Sequence, residues 1–234
     1  MDSDIKDIIN GGIKALATYI PLTNIALNIY AEIQAKQIKR KVERLENFFV
    51  ILREQSLSFS NKINEEYISQ TDFADIFERT INYVMDERLE EKRKCFQNIF
   101  INSVTAKSCS YDKTEKYMRL LDDMGWLEIN ILNVLHNPQL YNEKAGNVIK
   151  DPNEKFVGYT SFGSYRGVEL LSKLLNEEEN EIKDALYFLE SNRLIIEKGN
   201  AIQLQTNGHP IHTLDNMLTS KGKDFVSFIL KERD

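Results

Sequence analysis

Residues 168–199 read VELLSKLLNEEENEIKDALYFLESNRLIIEKG. Val168 to Leu175 form a short apolar helix. Asn176 reads as the N-cap of the next one, with Glu177, Glu178 and Glu179 in its first turn, where carboxylates suit the helix dipole. Ile182, Ala185, Leu186, Phe188 and Leu189 recur at helical spacing and make a buried stripe. Glu190-Ser191-Asn192 closes that helix. Arg193 to Lys198 is β-branched and strand-like, Gly199-Asn200 is a turn, and Ala201 to Thr206 alternates as a strand does. The pattern is thus helix, turn, helix, hairpin.

The pattern extends in both directions. Downstream of the loop 207–216, Met217 to Gly222 lead into a last helix holding Phe225, Val226, Phe228, Ile229 and Leu230. Upstream, Leu120, Leu121, Met124, Leu127, Ile131, Leu132 and Leu135 fit one helix, stopped by His136-Asn137-Pro138. Residues 139–164 between them are turn-rich, an insertion with one short strand expected at 155–159.

The first half is helical. Ile5, Ile8, Ile9, Ile13 and Leu16 suggest a short helix broken at Gly11-Gly12 and ended by Pro21. A long helix is expected from about 22 to 55. Its Ile38, Val42, Leu45, Phe49 and Leu52 form a heptad-like seam for a partner helix. A second long helix is expected from about 72 to 107, with Asp72 as N-cap, a charged middle from Asp86 to Lys94, and Glu90–Lys94 as an i,i+4 pair. The fold expected is mainly α: a helical region at 1–118, a long hairpin or bundle, followed by an α+β domain at 119–234.

Length and composition fit that reading. The chain has 234 residues, 42% hydrophobic and 28% charged, which suits a folded chain of one or two domains. Ten Gly and four Pro are too few for a turn-rich sandwich. Net charge is −6, against the basic footprint of most duplex-DNA binders. Residues 119–234 carry 13 basic and 18 acidic side chains, and residues 1–118 carry 17 and 18, so the acidity lies in the second half. Cys95 and Cys109 form no C-x-x-C pair, which fits a reducing cytoplasm and no zinc. Met1 is followed by Asp2 and Asp4 rather than a basic stretch, so no secretory leader is expected. The uncharged run Ala15–Ala31 is shorter than the roughly 20 apolar residues of a spanning helix.

Two resemblances follow from these residues. "ALYFLESNRLIIEKG" (Ala185–Gly199) and "LTSKGKDFVSFI" (Leu218–Ile229) resemble the second helix, wing entry and closing turn of bacterial winged helix-turn-helix proteins. "ERLEEKRKCFQNIFINS" (Glu87–Ser103), a spacer, and "LLDDMGWLEINILNVL" (Leu120–Leu135) resemble the bacterial Abi-alpha family, named for abortive infection. The second likeness implies a bacterial cytoplasmic protein linked to phage resistance or mobile elements. It carries over no catalytic residues.

No phosphate-binding glycine loop, no H-E-x-x-H and no nucleophile elbow is present; Ser161 sits in a glycine spacing one residue too wide for the last. His209, His212 and Asp215 read as loop residues rather than a metal site. His136 reads as a helix-end charge and Trp126 as core packing, with a dimer contact as its alternative. We therefore expect a non-enzymatic protein without cofactor or metal.

In a DNA-reading helix-turn-helix the second helix enters the major groove. Here it carries Glu177, Glu178, Glu179, Glu181, Asp184 and Glu190 against Lys183, and carboxylates repel phosphate. The expectation is a protein-interaction face at Glu177, Glu178, Glu179, Glu181 and Asp184, in a homodimer with a protein partner. One alternative is a DNA-binding regulator using Lys36, Lys39, Arg40, Lys41 and Arg44, with wing contacts from Arg166, Lys173 and Lys198. The same basic group is also an anionic-lipid patch in outline. The other alternative is a membrane-active effector, peripheral at the membrane through Ile5–Ile33.

Overall fold

In the first helix described, Val42, Leu45, Phe48, Phe49 and Leu52 recur at steps of three and four, and all are buried. The computed structural model describes residues 39–59, 71–105, 110–146, 163–196 and 217–230, with 28, 29, 31, 32 and 214. The elements are α1 (Lys39–Phe59), α2 (Thr71–Asp86), α3 (Glu90–Thr105), α4 (Tyr111–Asp123), α5 (Trp126–His136), α6 (Pro138–Lys144), α7 (Gly163–Leu175), α8 (Glu179–Ser191) and α9 (Ser220–Ile229). The protein is mainly α. Among the described residues, β pairing amounts to one antiparallel bridge, Ile195 with Leu218.

The chain divides into two units. The first runs to Asp123 and takes in the end of α9 from Phe228; the second is Met124–Ser227. The boundary expected at 118/119 thus falls five residues later. The polar stretch expected to be a spacer is the start of α4, which buries Thr114, Tyr117, Met118, Leu120 and Leu121.

In the first unit, α2 packs on α1, α3 and α4, and α3 also packs on α1 and α4. Phenylalanine fills the centre. The rings of Phe77 and Phe100 are 5.5 Å apart, those of Phe73 and Phe100 5.6 Å, and those of Phe48 and Phe100 6.3 Å, the offset and edge geometries aromatic pairs prefer. Phe49 reaches Phe77 at 6.4 Å, so the helix that the seam of α1 packs on is α2 of the same chain. Ile38 lies outside the described residues.

The long second helix expected over 72–107 is two helices. Its ladder lapses at Glu87-Arg88-Leu89, and α3 turns back along α2. Nothing in the local sequence breaks a helix there; tertiary packing does, because Phe96 and Phe100 are buried against Tyr83, Phe73 and Phe77 of α2 rather than carried past it. Likewise the single helix expected over 120–135 is divided at Met124-Gly125. Asn137 ends α5 and starts α6 at once: its Oδ1 accepts from Leu140 N at 3.1 Å, with Pro138 in the first helical turn.

In the second unit, α5 packs on α6, α7 and α8, and α7 packs on α8. The turn between α7 and α8 differs from expectation. Asn176 is no N-cap; it adopts φ 56°, and Glu177 N donates to Ser172 O at 3.2 Å. That is a Schellman closure of α7, with asparagine in the left-handed position that it tolerates. Glu178 is the N-cap of α8, leaving Glu179 and Glu181 in the first turn. Arg193 is likewise not in a strand. It closes α8 at φ 58°, with Leu194 N donating to Leu189 O at 2.9 Å.

Candidate functional site

Most of the basic group at the start of α1 has structural work. α2 ends without a basic residue in its last turn. α1 supplies the missing cations: Arg44 Nη1 donates to Met85 O at 2.6 Å and Lys41 pairs with Asp86. Positive charge beside unsatisfied carbonyls is where a helix C-terminus favours it. Lys39 pairs with Glu43 at 3.8 Å, and Arg40 is exposed. Lys36 lies outside the described residues. Three of the five positions expected as an anion patch therefore have acceptors within α1 or on α2.

Of the expected wing contacts, Lys173 is exposed and pairs with Glu169 one turn back on α7. Lys198 and the side chain of Arg166 lie outside the described residues. So do Ser161, His209, His212, Asp215, Cys109, the hairpin residues 197–206, and residues 5–27 of the apolar N-terminus.

Where α2 turns into α3, charged groups meet around one buried ammonium. Lys92 is 6% exposed. Its Nζ donates to Asp122 O at 2.9 Å and lies 3.3 Å from Glu87 Oε2. Burial pushes the Glu87 carboxyl up, but the Leu89 N–H, donating to Oε1 at 2.8 Å, and the Lys92 charge outweigh it, and the group sits below its usual range. Burial, with Asp123, Glu87 and Asp86 nearby, raises Asp122 despite Lys92. Burial pushes the Cys95 thiol up to about 12, so this cysteine is packed and unreactive. These contacts hold the corner between α2 and α3. Among the described residues no group of three or more His, Cys, Asp or Glu side chains is placed to hold a metal ion.

The acidic positions of α8 present a different surface. Glu177, Glu178, Glu179, Glu181 and Asp184 are all exposed, while Ile182, Ala185, Leu186 and Leu189 on the opposite side are buried. Glu179 is engaged by Lys183 at 3.8 Å. The residue that sequence reading missed is Tyr187. It is 73% exposed, against 5% for its neighbour Leu186. Steps of four, three and four place Asn180, Asp184, Tyr187 and Ser191 in one outward stripe. The signal was available: Tyr187 falls off the 182, 185, 186, 189 stripe, yet it is aromatic.

His136 is exposed at the end of α5, and Trp126 is only half-buried at its start. Glu90 and Lys94 form their pair at 2.7 Å. No helix among the described residues is long and apolar enough to cross a membrane. No protein-family model matches the chain, and no curated protein or solved structure does either.

Proposed function

We propose that the chain is a non-enzymatic protein-interaction module of phage-defence (abortive-infection) or mobile-element type, in which α8 offers its outward face to a protein. The observation that carries this reading is Tyr187, 73% exposed on a helix whose Ile182, Leu186 and Leu189 are buried and whose Phe188 is half-buried. An exposed tyrosine has a large apolar body and a polar tip, the type of residue that anchors protein interfaces. The carboxylates around it select against phosphate and for a partner whose facing surface is basic.

The winged-helix type is part of the proposal. Supporting it are the succession α5, α7, α8, α9, the short left-handed turn at Asn176, and the Ile195–Leu218 bridge at the point where a wing would leave and return. The hairpin itself falls among residues outside the description. The link to phage defence rests on the likeness of Glu87–Ser103 and Leu120–Leu135 to Abi-alpha proteins.

The test is capture of proteins from a bacterial lysate by the full chain and by a triple variant, Glu178→Lys, Glu179→Lys and Glu181→Lys. The expected result is a specific band with the parent chain that disappears with the variant. Equal capture by both refutes the reading.

A further inference from the structure

The corner at Glu87-Arg88-Leu89 stands in contradiction to its own sequence. Asp86 to Lys94 reads DERLEEKRK, without glycine or proline. Glu, Arg, Leu and Lys are all strong helix formers, and a helix running straight through is what these residues favour locally. The ladder is intact up to the corner and resumes directly after it. Glu87 N donates to Tyr83 O at 2.9 Å, and Arg93 N to Leu89 O at 3.0 Å. No residue between takes a left-handed conformation.

Side chains hold the bend. Arg93 Nη1 donates to Glu87 O at 3.2 Å and to Arg88 O at 2.8 Å. Glu87 accepts from Leu89 N, and Arg44 takes Met85 O. Each stands in for a helical bond: in a straight helix Met85 O would accept from Leu89 N, and the Arg88 to Lys92 amides would reach the carbonyls four residues back.

A lone chain cannot straighten. Doing so strips α3 from α2, and with it the Phe77–Phe100 contact at 5.5 Å and the Tyr83–Phe96 stack at 4.8 Å. A second copy removes that obstacle, because its α3 and α4 present the same faces to α1 and α2. A short hinge between packed helices, with a strong preference for the extended form, is the condition under which identical elements exchange.

We propose that residues 87–89 are a hinge and that a second copy of this chain is its partner. In the exchanged dimer Thr71 to Thr105 form one continuous helix, and each α2 packs on the other chain's α3. The proposal does not depend on the α8 face.

The test uses the full chain, refolded at low and at high concentration, sized by light scattering, with each peak examined by amide hydrogen exchange. Expected is a dimer enriched by refolding at high concentration, in which the Arg88 to Lys92 amides exchange at least tenfold more slowly than in the monomer. The pair Arg88→Gly and Leu89→Gly removes the helical preference and should weaken the dimer at least tenfold, while the monomer stays folded. A chain that is monomeric under every refolding condition overturns the proposal. So does a dimer whose corner amides exchange as fast as the monomer's. A dimer that charge reversal at Glu178 and Glu181 dissolves, with the glycine pair leaving it intact, also overturns it and points to α8 instead.

Discussion

The carbonyl oxygen of Leu194 occupies the place where a β-carbon on Gly222 would stand. This close approach lets the chain leaving α8 run against the chain entering α9. Thr219 secures the same crossing. Its N donates to Leu194 O at 3.0 Å, its hydroxyl donates to Arg193 O at 2.8 Å, and the Oγ1 accepts from Gly222 N at 2.9 Å as the N-cap of α9. Gly222→Ala must push the two backbones apart and should cost about 3 kcal/mol, the upper end of overpacking penalties. Gly167, in α7 with nothing within 4 Å of its missing β-carbon, is the control. Gly167→Ala should gain about 0.5–1 kcal/mol from helix propensity. Urea unfolding of both variants checks the contrast.

Thr219→Ala removes the cap and the bond to Arg193 O together, and should cost about 1–2 kcal/mol. Thr219→Ser keeps the hydroxyl and should recover most of it. Equal losses in the two variants, measured by thermal unfolding, would assign the effect to the methyl group's packing instead.

The left-handed position at Arg193 offers a gain. Its φ of 58° suits glycine, and Schellman closures usually carry glycine there. Arg193→Gly should stabilise the second unit by about 1 kcal/mol, because a side chain in this conformation costs about that much. The same reasoning gives a smaller gain at Asn176, since asparagine tolerates the conformation better. Denaturant midpoints with unchanged slopes would confirm both.

These turns show where sequence reading stopped. The buried stripes of α1, α2 and α8 were legible because apolar residues at helical spacing have one sensible use. The 87–89 corner was not, since the residues that dictate it, Phe96 and Phe100, act through packing with α2 rather than through any local break signal. Asn176 is ambiguous in sequence for a related reason: asparagine serves both as N-cap and as left-handed closure, and its φ of 56° with the Glu177–Ser172 bond distinguishes the two. The acids of α8 were legible as an exposed set. Tyr187 is harder to read, because an aromatic residue off the apolar stripe can still fold back onto the core, and only its exposure places it outward.

The corner around Lys92 should give opposite pH signatures at two carboxylates. Glu87 sits below its usual range when folded, so its contribution is present above the unfolded value and is lost as pH falls through the folded one. Glu87→Gln keeps an acceptor for Leu89 N but loses the charge beside Lys92. It should cost about 1 kcal/mol near neutral pH and nothing once the carboxylate is protonated. Asp122 is raised, so its contribution is present below the unfolded value and fades as pH rises. Asp122→Asn should therefore stabilise near neutral pH, by no more than about 0.5 kcal/mol because the group is largely solvated. Melting temperatures across the acid range would show the two curves converging on the parent from opposite sides.

Tyr187 separates folding from recognition. The residue is 73% exposed, so Tyr187→Ala should leave unfolding within about 0.5 kcal/mol of the parent, as surface substitutions do. If the ring anchors a protein partner, the same variant should weaken capture by about 2 kcal/mol or more, roughly thirtyfold. Tyr187→Phe keeps the apolar body and tests the hydroxyl alone. Asp184→Lys, one turn away on the same stripe, should weaken a basic partner with a loss that shrinks as salt rises. The loss at Tyr187 should persist in high salt, because it comes from buried area rather than charge. A salt-independent loss at Asp184, or none at Tyr187, would remove the aromatic anchor from the account of this face.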